Sequence, residues 1–336
     1  MHRERLRRMK IKDLAIGSIV TIPLVVLSAT ARETKAKKPY LQLELYDGTD
    51  TIQGNYWDWT SGNIPSKNTI LDVKAQVSEY MSVKQLNIKS LTTNTELHLS
   101  EFEPNSGVDI ADVYKEAYAL SASINDDFLR SLTLAVLEQL RNAWLTVPGA
   151  KSVHHAFVGG TLVHSLSVAK IAKAISQQIP DSNDELCFVG GLLHDLGKLY
   201  TYKLNGITID MTPDGMLYDH TFMGAEFIGN FVDNNELIRE PVDEFKCQLL
   251  RHIILSHHGS LEHGAAVPPM FIEAHVVHCA DGVDAATQQV IEQSRKLDKE
   301  MWTDRIWGLG NRPHLSTQLV KEIFKQEVPE GDFPLP

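Results

Sequence analysis

The sequence predicts a multidomain α+β protein: a five-stranded β-barrel near the N-terminus, followed by an all-α domain that carries a small inserted β-hairpin. Three observations lead there. From Gly17 to about Leu91, β-branched and aromatic residues run in short stretches separated by turn formers. Beyond a connecting stretch, EFEPNSGVD, the pattern changes to apolar residues at i, i+3 and i+4. Within that second half, TYKLNGITIDMTPDGMLY alternates and contains Asn205-Gly206, a hairpin signal.

Taken in order, strands are expected near 18–30, 39–46, 51–57, 69–80 and 83–90, with Asp47-Gly48 forming a tight turn between the second and third. Helices are expected over 110–124, 126–145, 162–178, 185–199, 222–231, 244–256 and 271–296, with Asp109 and Ser182 as start signals. The domain plan is a basic N-terminal extension (1–10), a barrel domain (11–100), a helical domain (109–310) and a C-terminal tail (311–336) that ends in EVPEGDFPLP.

Composition narrows the classes. With 43% hydrophobic and 22% charged residues in 336, the chain is ordinary globular material. Cys187, Cys247 and Cys279 form no CxxC pair, so neither a disulfide framework nor a zinc knuckle is indicated and a reducing cytoplasm is expected. The apolar stretch 19–31 is too short to cross a bilayer, which needs about 20 residues, so no membrane partner is expected. MHRERLRRMK is followed by no signal-type apolar core, which argues against a secretory leader, and Met9 is an alternative start. Net charge is −11, divided as +4 over residues 1–100 and −15 over the remainder. The first ten residues supply that whole +4, so charge alone assigns no nucleic-acid binding, while the acidic excess suits bound cations.

Five segments bring together ligand-type residues: His164 in LVHSLSVA, His194-Asp195 in GGLLHDLGK, His220 in YDHTFMG, His257-His258 in LSHHG and Asp281 in HCADGVDA. A carboxylate can bridge two divalent cations while neutral imidazoles cap each of them, so this inventory suits a dinuclear hydrolase. Lys198, three residues after Asp195, shares its helical face and is a candidate catalytic contact to a substrate phosphate; a solvent-exposed helix end is the alternative. His155 is a candidate contact to phosphate or sugar, His278 a candidate to orient a ligand or to pack in the core, and Asp284 a residue of unassigned role near the centre. There is no P-loop and no GxGxxG fingerprint.

The order H, HD, H, HH, D resembles the HD-domain metal-dependent phosphohydrolases. The resemblance implies one ion held by His164, His194, Asp195 and Asp281, and a second held by Asp195, His220, His257 and His258. Manganese is expected by family analogy, with iron and zinc as alternatives. The segment RETKAKKPYLQLELYDGTDTIQGNYWDW resembles OB-fold nucleic-acid binders, in which the second and third strands form the ligand face. On that face Tyr40, Tyr56, Trp57 and Trp59 are candidate stacking platforms, with Lys37 and Lys38 nearby for phosphates. Each aromatic can instead plug the barrel, and Tyr46 is assigned to the core. The two modules in this order, with HHAFVGGTLVHSLSVAKIA, LLHDLGKL, ILSHHG and WTDRIWGLGNR, resemble the YhaM family of 3′-to-5′ exoribonucleases. That resemblance implies capture of single-stranded RNA, or DNA, by the barrel and release of nucleoside 5′-monophosphates at the metal site. Two alternatives stay open: an HD-type phosphodiesterase for cyclic or short oligonucleotides, and a nucleic-acid-binding adaptor with a vestigial site. The GYP tripeptide of signalling phosphodiesterases is missing after SHHG. An oligomer is compatible with everything above.

Overall fold

The computed structural model describes residues 9–81, 83–103, 107–150, 155–297 and 300–325. The basic residues of the predicted extension before Met9 and the final residues of the predicted tail lie outside them. The chain divides into two compact units, residues 1–107 with 204–208, and residues 108–203 with 209–336. The hairpin turn, expected within the helical domain, thus groups with the first unit.

In the first unit the strands are β1 (Ile19–Glu33), β2 (Pro39–Tyr46), β3 (Thr51–Tyr56), β4 (Ile70–Tyr80) and β5 (Val83–Thr93). They close in the order β1-β2-β3-β5-β4 with β4 returning to β1. The ladders are antiparallel except β3 with β5, where Gly54 pairs with Leu86 in parallel. This is the predicted five-stranded OB-like barrel. Alternation sends Leu41, Leu43 and Leu45 of β2 inward, onto Leu24, Val73 and Leu86. The Asp47-Gly48 turn forms as expected: Asp47 Oδ1 accepts the N–H groups of Thr49 and Asp50, and Gly48 takes φ +96°.

The second unit is helical. The elements after residue 107 are α1 (Ile110–Ala122), α2 (Asp127–Gln139), α3 (Arg141–Thr146), α4 (Gly160–Ser176), α5 (Asp184–Leu193), α6 (Lys198–Thr201), β6 (Tyr202–Asn205), β7 (Thr208–Met211), α7 (Pro213–Asn234), α8 (Pro241–Ser256), α9 (Ile272–Ser294) and α10 (Thr317–Ile323), with the hairpin strands straddling the unit boundary. Asp109 caps α1 and Asp126 caps α2, their carboxylates accepting N–H groups of the first turn. Asn183 rather than Ser182 caps α5. β6 and β7 form the predicted hairpin.

Three departures matter. The helix expected over 126–145 breaks at Leu140. The helix expected over 185–199 ends at Leu193 and resumes as α6. The helix expected over 222–231 opens at His220, after a break at Asp219 that separates it from a short helical stretch begun at Pro213 and capped by Thr212. Part of the predicted tail is also structured, since α10 lies within it.

α5 is buried from Leu186 to Leu193 and packs against α4, α9 and α8. Its close approach to α4 depends on Gly191, where a β-carbon would stand 2.7 Å from the Ala169 Cα. No helix among the described residues is long and apolar enough to cross a membrane.

Candidate metal centre

His164 lies on α4, His194 caps the C-terminus of α5, and Asp195 follows in the turn leading to α6. His220 comes from α7, His257 caps the C-terminus of α8 with His258 next to it, and Asp281 lies on α9. Gly197 brings α7 up to that turn: a β-carbon there would stand 1.9 Å from the His220 carbonyl oxygen. The predicted metal-ligand residues therefore share one region of the helical unit.

Asp195 stands at the middle, 1% exposed. Its Oδ2 faces His164 Nε2 at 3.2 Å and His194 Nε2 at 3.4 Å, and His164 Nε2 is also 3.2 Å from Asp281 Oδ1. Its Oδ1 faces His220 Nε2 at 3.4 Å and His257 Nε2 at 3.8 Å. His220, His257 and His258 themselves offer ligand atoms within 4.8 Å of one another, as do His164, His194 and Asp195. The two oxygens of one carboxylate thus look toward two different sets of nitrogens.

The far side of each imidazole fixes which nitrogen carries the proton. His194 Nδ1 donates to the Gly191 carbonyl at 2.7 Å, and His257 Nδ1 to the Ile254 carbonyl at 2.7 Å. His164 Nδ1 donates to Asp284 Oδ2 at 2.7 Å, and His220 Nδ1 donates to Asp219. Acceptors that carry no hydrogen of their own hold the proton on Nδ1, so Nε2 is the nitrogen presented to Asp195. Asp195 Oδ1 and the Nε2 of His220 are buried with no hydrogen-bond partner among the described residues, and Asp195 Oδ2 is met only by groups that also face the candidate site. A buried carboxylate left this way costs several kcal/mol unless a charge compensates it, so the donor set fits divalent cations.

One compensating charge is present. Lys198 Nζ lies 2.7 Å from Asp195 Oδ2, with its side chain only 15% exposed, which rules out the solvent-exposed helix end. Burial works against the Lys198 ammonium, but Asp195 keeps its pKa raised. Burial likewise opposes ionisation of Asp195, yet Lys198 and His194 hold its carboxyl well below the usual range. Burial, with His194 beside it, holds His257 well below the ordinary imidazole value and therefore neutral, as a ligand must be. Burial and His220 lower His258. His164 goes the other way: burial lowers it, but Asp195, Asp281 and Asp284 lift it well above the usual value. A proton and a cation therefore compete for that nitrogen.

Asp284, three residues beyond Asp281, accepts from His164 Nδ1, His155 Nε2 and the Ser167 hydroxyl. His155, expected to contact phosphate or sugar, is buried with its Nε2 2.9 Å from Asp284 Oδ2. His278 donates from Nδ1 to the His257 carbonyl at 2.6 Å, steadying the backbone of the SHHG turn. Asp219 and Ser167 carried no sequence signal of function. Asp284 carried a weak one, its i+3 spacing from Asp281.

On the barrel, Tyr40 and Trp57 meet with ring centroids 4.5 Å apart, and Trp57 is 41% exposed with its indole N–H donated to Asn87 Oδ1. Tyr56 and Trp59 instead pack against the barrel core, Tyr56 because its register partner Leu41 points inward. Lys37 and Lys38 sit in the exposed β1–β2 turn, Lys37 at φ 58° and Lys38 4.0 Å from Asp58. Tyr46 is partly buried against Val25 and Ile70, and burial beside Asp47 pushes its phenol up to about 12.

Parts of this chain are similar to known proteins. Residues 161–286 match the HD domain family model. Among solved structures, a crystal structure of a domain of replication protein A from Methanococcus maripaludis is 23% identical, with TM-score 0.23 over 25% of this chain and 92% of that one. The solution structure of the second OB-fold domain of the same organism's replication protein A is 20% identical, with TM-score 0.23 over 26% and 96%. The HD domain of the L. monocytogenes phosphodiesterase PgpH is 20% identical, with TM-score 0.28 over 49% and 79%. The chain is a closed five-stranded OB-like barrel followed by a helical HD domain.

Proposed function

We propose that this protein is a metal-dependent 3′-to-5′ exonuclease of the YhaM type, hydrolysing the terminal phosphodiester of single-stranded RNA, or DNA, to nucleoside 5′-monophosphates. The observation that carries the phosphohydrolase part is the Asp195 carboxylate, whose two buried oxygens face separate imidazole sets. His164, His194, Asp195 and Asp281 would hold one divalent ion, and Asp195, His220, His257 and His258 the other, manganese for preference, with iron or zinc as alternatives. Two such ions supply an acidified water and charge neutralisation for in-line displacement at phosphorus.

The chain's own residues do the rest. Asp284, Asp219 and the Gly191 and Ile254 carbonyls hold the protons on Nδ1 and so aim Nε2. Lys198 balances Asp195 and is the side chain proposed to reach a nonbridging phosphate oxygen. Tyr40 and Trp57 are the proposed base platform, with Lys37 and Lys38 beside the strand. Polarity of attack and the monomeric product rest on the YhaM resemblance.

The test is a 5′-labelled single-stranded oligonucleotide with the full-length protein and manganese. A ladder shortening from the 3′ end, with a 3′-blocked oligonucleotide surviving, is the expected result. Cleavage of cyclic dinucleotides with both oligonucleotides intact would move the substrate to the cyclic class. Binding without turnover under any divalent metal would leave the adaptor reading.

A further inference from the structure

Three of the four imidazoles that face Asp195 have an obvious anchor. His194 and His257 each cap the C-terminus of a helix, where the carbonyl three residues back is free of the helical ladder and takes the Nδ1 proton. His164, inside α4, is anchored by Asp284 from α9. His220 differs, because it opens the long helical run of α7: Asp219 just before it breaks the helix with φ 61° and ψ 162°. No i−3 carbonyl is in helical position there, so the acceptor has to come from a side chain.

Asp219 provides it. One carboxylate oxygen accepts both the His220 backbone N–H and its Nδ1–H. It does so from a backbone region that belongs essentially to glycine and that an L side chain occupies only under strain. Burial does not explain the residue, since the Asp219 side chain is 60% exposed. We propose that Asp219 is a positioning residue for the ion held by His220, His257 and His258, keeping His220 in the Nδ1–H tautomer at the expense of backbone strain. This rests on the two-ion reading given above.

The test uses full-length, metal-free protein titrated calorimetrically with Mn²⁺, together with Asp219→Gly and Asp219→Asn. Asp219→Gly is expected to weaken one of the two ions by about 10- to 100-fold and to leave the other unchanged. It is also expected to raise the melting temperature of the metal-free protein, because glycine relaxes the strained backbone. Asp219→Asn, which keeps both the strain and an acceptor oxygen, is expected to give a smaller loss of affinity with no rise in melting temperature. Nitrogen-15 spectra of the metal-free protein should show His220 as Nδ1–H in the wild type and shifted toward Nε2–H in Asp219→Gly. An unchanged pair of affinities, an unchanged tautomer, or equal weakening of both ions with a lowered melting temperature would overturn the proposal. A wild-type chain that takes up fewer than two ions would instead overturn the two-ion reading itself, and this proposal with it.

Discussion

Each unit of this protein buries aspartate, and Asp47 of the barrel and Asp195 of the helical unit are used in opposite ways. In the barrel, Asp47 is 4% exposed and both its oxygens are occupied: Oδ2 by the Ile11 N–H at 2.6 Å, Oδ1 by Thr49 and Asp50 N–H groups and the Thr49 hydroxyl. In the helical unit, Asp195 is 1% exposed, its Oδ2 is met by the Lys198 ammonium at 2.7 Å, and its Oδ1 has no hydrogen bond among the described residues. Burial is common to both, so burial alone does not mark a functional carboxylate. What separates them is satisfaction: Asp47 completes a turn, while Asp195 keeps lone pairs directed at the Nε2 atoms of four imidazoles.

Substitutions at these two positions should separate accordingly. Asp195→Ala is expected to lower turnover by at least about 10²- to 10³-fold and to abolish uptake of both ions, leaving oligonucleotide binding in place. Steady-state kinetics, elemental analysis and a binding titration check it, and full activity would remove the site assignment. Asp47→Ala should do the reverse, costing roughly 1–3 kcal/mol in chemical denaturation through its orphaned N–H groups while metal content stays at the wild-type level. A loss of bound metal in Asp47→Ala would erase the contrast.

Much of this contrast was readable before any coordinates. The barrel strands fell within a few residues of their expected limits because alternation in segments such as PYLQLELY puts every second residue inside. The ligand-type histidines and both aspartates were legible as motifs. What was hidden was whatever depends on backbone rather than on residue type. The Gly191 and Ile254 carbonyls have no sequence signature, and Asp219 matters only because its backbone leaves the helix. The short helical stretch from Pro213, ahead of the Asp219 break, is hidden because Thr-Pro-Asp-Gly reads equally as a turn and as a capped helix start. That Tyr56 and Trp59 pack partly against the barrel core is not legible either, because composition does not reveal which face of β3 and its following turn they occupy.

Smaller effects sharpen the comparison further. Trp57→Ala is expected to cost about 1–3 kcal/mol of strand capture, raising KM for long substrates more than for dinucleotides, with kcat and metal content preserved. Equal effects on long and short substrates would take the barrel out of the capture step.

Asp126→Ala should cost about 1 kcal/mol by uncapping α2 and releasing Lys246. Burial raises the Asp126 carboxyl, but the Leu129 N–H and Lys246 prevail and its pKa is lowered on folding. Its contribution is therefore complete above the unfolded value of about 4 and vanishes as pH falls through the lower folded value. Denaturation of wild type and variant across that window should show the two stabilities converging in acid. A constant difference would mean that ionisation of Asp126 plays no part.

The central claim is that one carboxylate serves two cations, and anomalous scattering from crystals grown with manganese tests it most directly. The account predicts two peaks, one beside each oxygen of Asp195, the first among His164, His194 and Asp281 and the second among His220, His257 and His258. A single peak, or peaks that leave either Asp195 oxygen without a metal neighbour, would contradict it.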